Sequence, residues 1–193
     1  MALAVSQGKK TKLISKIIAG AIVFLALAPQ AMPIAQEVQE ENLSVFLLRL
    51  KCVSTGVGNS ARRREDISVG KAFYTSRLYI GPGDRFAGLT CQLQPNEGDV
   101  IFQKLRLSFG MRDNDQGSPA AVVNVYLDGV KAESRTVSPG QPASVSLDVT
   151  TTNNVSIEAV CSNRSRYCDR VYFWDASVEY PPVLPKSHSK NID

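Results

Sequence analysis

From Leu43 onward the chain alternates apolar and polar side chains with period two, and short clusters of Gly, Pro, Asn and Asp break the alternation. Successive side chains of a strand point to opposite faces, so this pattern describes strands with one face buried and one in water. Leu105, Leu107, Phe109 and Met111 alternate with Lys104, Arg106, Ser108 and Gly110. Val145, Leu147 and Val149 alternate with Ser144, Ser146 and Asp148, and Val155, Ile157, Ala159 and Cys161 with Ser156, Glu158 and Val160. Asp128-Gly129, Ser138-Pro139-Gly140 and Asn153-Asn154 supply turns between them, the first being a strong hairpin signal. Strands are expected at Leu43–Val53, Ala72–Ile80, Arg85–Gln94, Val100–Met111, Ala121–Leu127, Ala143–Val149, Val155–Cys161 and Arg170–Tyr180, with a weaker one at Lys131–Val137. Ser54–Glu65 shows no such pattern and reads as a long surface loop, and no window past residue 40 has the period of an amphipathic helix. Strands at this spacing point to a single all-β domain, a jelly-roll β-sandwich over residues 43–180.

The first 35 residues are different in kind. Lys9, Lys10, Lys12 and Lys16 precede the uncharged run Ile17–Ala28, and Pro29-Gln30-Ala31-Met32-Pro33-Ile34-Ala35 follows it. This is the order of parts in a secretory signal peptide, and stretched to Ala35 the run also reaches the length of a retained anchor. A polar, acidic spacer occupies 36–42, and the proline-rich end, 181–193, reads as a disordered tail. The whole chain carries 22 Lys plus Arg against 18 Asp plus Glu; without the four leader lysines the remaining 18 balance the 18 acids. A neutral mature chain gives no electrostatic case for nucleic acid, and it has no membrane span if the leader is cleaved. The expected location is secreted, periplasmic or in the cell envelope.

Cys52, Cys91, Cys161 and Cys168 all lie in the exported part, and an even number there reads as two disulfides. Four cysteines allow three pairings. The near pair Cys161–Cys168 suits a staple across a hairpin loop, and Cys52–Cys91 would then tie an early strand to a later one. Zinc is the rival reading, but no CxxC spacing occurs and the one histidine is His188 in the tail.

Residues of about 66–180 resemble the NPCBM-type carbohydrate-binding module, a jelly roll of the galactose-binding-like superfamily. The resemblance rests on Asp66–Tyr74 (DISVGKAFY), on Phe102–Phe109 with the following Gly110-Met111-Arg112-Asp113-Asn114-Asp115, and on Val122–Gly129 (VVNVYLDG). Ser144–Val149, Val155–Val160 and Val171–Val178 (VYFWDASV) complete the ordered series. It implies that fold and a non-catalytic, sugar-binding role.

The candidate ligand contacts are few. Trp174, the single tryptophan, offers a sugar-stacking ring, yet its alternation with Tyr172, Ala176, Val178 and Tyr180 places it on an expected core face, opposite Phe173 and Asp175. Asp113 and Asp115, in the loop Arg112–Ser118, offer oxygens to a Ca²⁺ ion or to sugar hydroxyls, and equally suit a plain turn. No cofactor is expected, a structural Ca²⁺ at Asp113 and Asp115 being the alternative. Arg164, Arg166 and Tyr167 lie inside the Cys161–Cys168 loop and are binding-type side chains on a short closed loop. Arg62-Arg63-Arg64 reads as a solvated loop or as an acid-binding patch. With one histidine, in the tail, no Ser-His-Asp or Cys-His arrangement exists. The expected function is recognition of envelope or extracellular glycans, the alternative being a structural or protein-interaction domain of the envelope that binds no sugar.

Overall fold

The computed structural model describes residues 43–94 and 101–181. The leader, the acidic spacer and the tail beyond Pro181 lie outside the described residues. Within them the named strands all pair antiparallel, and two sheets form a sandwich. One sheet contains β1 (Ser44–Phe46), β3 (Asn59–Val69), β4 (Ala72–Gly81), β6 (Lys104–Gly110), β9 (Pro142–Asp148) and β11 (Val171–Glu179), in the order β3-β4-β11-β6-β9 with β1 also on β11. The other contains β2 (Cys52–Gly56), β5 (Phe86–Gln92), β7 (Ala121–Leu127), β8 (Val130–Val137) and β10 (Asn154–Cys161), in the order β2-β5-β10-β7-β8.

The alternating residues meet between the sheets. Leu105, Leu107, Phe109 and Met111 of the first sheet are buried, as are Val155, Ile157 and Ala159 of the second. Burying such side chains stabilises by roughly 1.5–3 kcal/mol each, which is why this face specifies the register. Asp128-Gly129 makes the expected two-residue hairpin between β7 and β8, both residues at positive φ (47° and 83°).

Three expectations need correction. Leu43–Val53 is not one strand: β1 ends at Phe46, a 3₁₀ turn spans Leu47–Arg49, and β2 begins at Cys52 in the opposite sheet. The chain has to turn there to change sheets, and Leu47, wholly buried, anchors the crossing. Ser54–Glu65 is not a loop but the end of β2 and the first seven residues of β3, joined at Val57-Gly58, whose N–H groups both donate to the Phe86 carbonyl. Both strands are edges, so their side chains escape the burial that writes period two into a sequence. The third correction concerns β11. Its register slips between Phe173 and Asp175, so Phe173, Ala176 and Val178 enter the main core whereas Tyr172 and Trp174 face away from it. A bulge adds one residue and exchanges the faces beyond it.

The outer face of β11 is covered too. β4 pairs with it only over Val171–Phe173, and β1 takes the place of β4 over Ser177–Glu179. The freed arm of the β3–β4 hairpin forms a second apolar cluster, in which Ile67 and Val69 pack with Tyr79 and Tyr172. The disulfides are Cys52–Cys91, between facing residues of β2 and β5, and Cys161–Cys168. The near-pair reading of the sequence describes them correctly.

Candidate functional site: the loops at one end of the sandwich

The turns before β3 and β5, the Arg112–Ser118 loop and the Cys161–Cys168 loop gather at one end of the sandwich. Their backbones are tied together. Cys168 N–H donates to the Gly83 carbonyl (2.8 Å), Cys161 N–H to Arg85 (2.9 Å), and Ser162 N–H to Ala120 (3.0 Å). Gly58 lets the β2–β3 turn lie directly on Gly81-Pro82, because a Cβ at that position would collide with the Gly81 carbonyl oxygen. The loops are therefore fixed, and their side chains carry the chemistry.

Asp113 and Asp115 are both occupied by the protein itself. The hairpin turn Gly70-Lys71 has positive φ at both residues (61° and 66°), which is costly for lysine. The Asp113 carboxylate holds it there, accepting from the Ser68 hydroxyl (2.5 Å), the Gly70 N–H (2.7 Å) and the Lys71 N–H (3.0 Å). The Ser68 hydroxyl and then the Lys71 N–H hold the Asp113 carboxyl below the usual carboxylate range. Asp115 is buried and accepts from Arg112 through Nη2 (2.9 Å) and Nε (3.3 Å). The same guanidinium reaches Glu65 (3.3 Å) and lies over the Tyr172 ring, 5.0 Å from its centroid. Its hydrogen bond to Asp115 raises the Arg112 pKa, whereas burial and then the neighbouring Asp115 raise that of the Asp169 carboxyl. Among the described residues no group of three or more His, Cys, Asp or Glu could hold a metal ion.

The Cys161–Cys168 loop is built differently. Only Arg166 turns inward, donating to the Gly117 carbonyl (2.6 Å) and so joining this loop to the Arg112–Ser118 loop. Tyr167 is 68% exposed and lines a hollow of about 270 Å³ with Asn59, Gly83 and Asp84. Arg164 lines a second hollow, of about 520 Å³, with Asp84, Arg85 and Phe86. Asp84 belongs to both, so the two hollows share a wall. The side chains of Asn59, Asp84, Arg85 and Arg164 are exposed and form no hydrogen bond or ion pair with other described residues. An exposed ring beside unengaged carboxylate, amide and guanidinium groups can stack on an apolar face of a ligand and hydrogen-bond its hydroxyls.

Trp174 lines neither hollow. It sits half-buried at the β11 bulge with its ring stacked on Tyr74, centroids 4.0 Å apart and planes 20° from parallel. Of the six sequence candidates, then, Arg164 and Tyr167 border the open site, Arg166 braces it, Asp113 and Asp115 hold the hairpin and loop, and Trp174 packs elsewhere. Asn59 and Asp84 were not singled out by sequence reasoning. The turn signal Gly81-Pro82-Gly83-Asp84 marks the second of them, since a loop aspartate with no turn N–H to cap keeps its oxygens open to water.

No family model and no curated protein matches the chain. Solved structures do. The CBM51 from Clostridium perfringens GH95, in complex with methyl-galactose, superposes with a TM-score of 0.58 at 15% identity, over 70% of this chain and 99% of that one. The chain has the fold of a carbohydrate-binding module. A structure of CBM51-2 in complex with GlcNAc and INT domains from Clostridium perfringens ZmpB gives a TM-score of 0.59 at 11% identity, over 72% of this chain and 32% of that one. At such identities the likeness is one of fold, a two-sheet β-sandwich as the sequence led one to expect.

Proposed function

We propose that the chain is an exported, non-catalytic module that binds glycans of the cell envelope or its surroundings through the loop end around Tyr167. The observation that carries this reading is the Tyr167 ring, largely exposed on a loop closed by Cys161–Cys168 and bordered by the unengaged Asn59 and Asp84. A closed loop loses little conformational entropy on binding, so a modest number of contacts suffices for recognition. The ring stacks on the C–H face of a pyranose, Asp84 and Asn59 take its hydroxyls, and Arg164 with Arg85 orients a neighbouring sugar or acidic substituent. The site needs no Ca²⁺, because Asp113 and Asp115 are engaged by Ser68, Gly70, Lys71 and Arg112.

Galactose- and GlcNAc-bearing glycans, named with the two solved modules, are the first ligands to offer. Residues 43–181, immobilised and probed on a glycan array with and without chelator, should retain at least one sugar class in both conditions. Tyr167→Ala should weaken that binding by at least tenfold and leave the melting temperature within a degree or two. Equal binding by the variant would remove the site from the reading. Failure to bind any sugar class, alongside a co-purifying envelope protein lost on the same substitution, would turn the loop end into a protein contact instead.

A further inference from the structure

A second surface, built on β1, the 3₁₀ turn and the β3–β4 hairpin rather than on the Tyr167 loops, concentrates positive charge on a chain whose exported part is neutral. Arg49, Lys51, Arg62, Arg64 and Arg77 are exposed and form no ion pair with any described carboxylate. Arg63 between them is the exception, at 3.8 Å from Glu65. Two of the five share one support. The Arg77 guanidinium carbon lies 4.2 Å from the centroid of the Phe46 ring, and that of Arg62 lies 5.9 Å from the same centroid. Stacking fixes the orientation of both forks while leaving their N–H groups unspent. Two like charges held on one ring repel, and no described carboxylate comes within ion-pair distance of either, so an incoming anion is the natural counter-charge.

The relief of the surface says what kind of anion. Arg62 lines a groove of about 280 Å³ of mixed character, with Leu48, Leu50 and Ala61 beside Ser54 and Ser60. Arg77 and Arg49 line a polar hollow of about 200 Å³ with Ser44 and Ser177. The one carboxylate on that hollow, Asp175, already accepts from the Ser177 hydroxyl (2.7 Å) and lies 3.8 Å from Arg106. Phe46 lines the hollow, and its ring lies under both Arg77 of the hollow and Arg62 of the groove. Two depressions whose arginines lie over one ring suit a chain rather than a single sugar. Leucine side chains mixed with serine hydroxyls and guanidinium forks suit a carbohydrate that carries carboxylate or sulfate groups. A nucleic acid, whose affinity grows with the number of phosphates neutralised, would ask for a far more basic molecule.

We propose that this surface is a second glycan site, for acidic polysaccharide bearing uronate or sulfate groups, with Arg49, Arg62 and Arg77 as its anion contacts. It is independent of the Tyr167 site, and a Tyr167→Ala protein should keep it. The test measures binding of the purified protein to heparin and to a polyuronate, with neutral dextran and single-stranded DNA as comparators, from about 25 to about 200 mM salt, since screening removes such contacts at higher ionic strength. At least one acidic glycan should bind, dextran should not, and DNA should bind at least tenfold more weakly. Arg49→Gln, which disturbs no aromatic stack, should weaken binding severalfold and flatten its salt dependence. The triple variant with Arg62→Gln and Arg77→Gln should abolish binding while Tyr167→Ala changes nothing. No retention of either acidic glycan at the lowest salt would overturn the proposal, as would equal affinity for DNA or full binding by the triple variant. Circular dichroism melts of each variant separate lost contacts from lost folding.

Discussion

The Arg112–Ser118 loop and the Cys161–Cys168 loop lie side by side and are joined by the hydrogen bond from Arg166 to Gly117, yet they use their polar side chains in opposite ways. In the first, charged groups look inward. Asp113 clamps the Gly70-Lys71 turn, and Asp115 and Glu65 share the Arg112 guanidinium over Tyr172. In the second, a covalent bond closes the loop, so Arg164 and Tyr167 are released to face water. Composition gives both loops the look of binding sites. What separates them is whether the neighbouring backbone and side chains have already consumed the hydrogen-bonding capacity.

The inward loop should therefore fail through stability and the outward one through binding. Arg112→Ala is expected to have the largest effect on stability. It would leave Asp115, whose side chain is only 5% exposed, without a counter-charge, and would free Glu65 and Tyr172 as well. Removing one partner of such a buried pair costs roughly 3 kcal/mol, readable as a lower urea midpoint at an unchanged slope. A shift of only a few tenths would mean that Arg112 is an ordinary surface cation, and the contrast between the loops would collapse.

The Cys161→Ser, Cys168→Ser double variant probes the other side. Opening so short a loop should cost about 2 kcal/mol through the unfolded-chain entropy, less than the Arg112 change. Its distinctive effect falls on the ligand: glycan affinity should drop about tenfold as Arg164 and Tyr167 lose their fixed positions. Unchanged affinity with lowered stability would reduce the staple to a brace for β10 and the segment before β11.

Much of this arrangement was legible in the residues. β6, β9 and β10 announce themselves because one face of each is pressed into the core, and the short Cys161–Cys168 spacing matches a staple within reach. β2 and the first half of β3 were silent for the converse reason, since Val53, Arg62, Arg63 and Arg64 stay exposed on edge strands and no burial selects their pattern. The Trp174 face was misread because a single extra residue in β11 exchanges faces, and a bulge leaves no mark on the local composition. At the site, Tyr167 and Arg164 could be found from the loop that carries them. The duty of Asp113 could not, because its partners Ser68, Gly70 and Lys71 are more than forty residues away in sequence and meet it only through the folded hairpin.

The smallest effect on stability is also the most diagnostic of the inward loop, and it depends on pH. The Asp113 carboxyl is held below its ordinary value by the Ser68 hydroxyl, the Lys71 N–H and the Gly70 N–H, so the folded state prefers it ionised. A depressed folded value means that the added stability is fully present above the unfolded carboxylate value, about 3.9, and is lost as pH falls through the lower folded value. Asp113→Asn cannot ionise, and its NH₂ group meets backbone N–H donors where an oxygen stood. The variant should melt below the parent at neutral pH, and the gap should close as both are taken from pH 5 toward pH 2. Asp148, similarly depressed by the Thr150 N–H, leaves a slope common to both proteins, so the difference between the two melting curves is the quantity to plot. A gap that stays constant over that range would show that Asp113 acts as a neutral hydrogen-bond acceptor, and the charge-based half of the comparison would be lost.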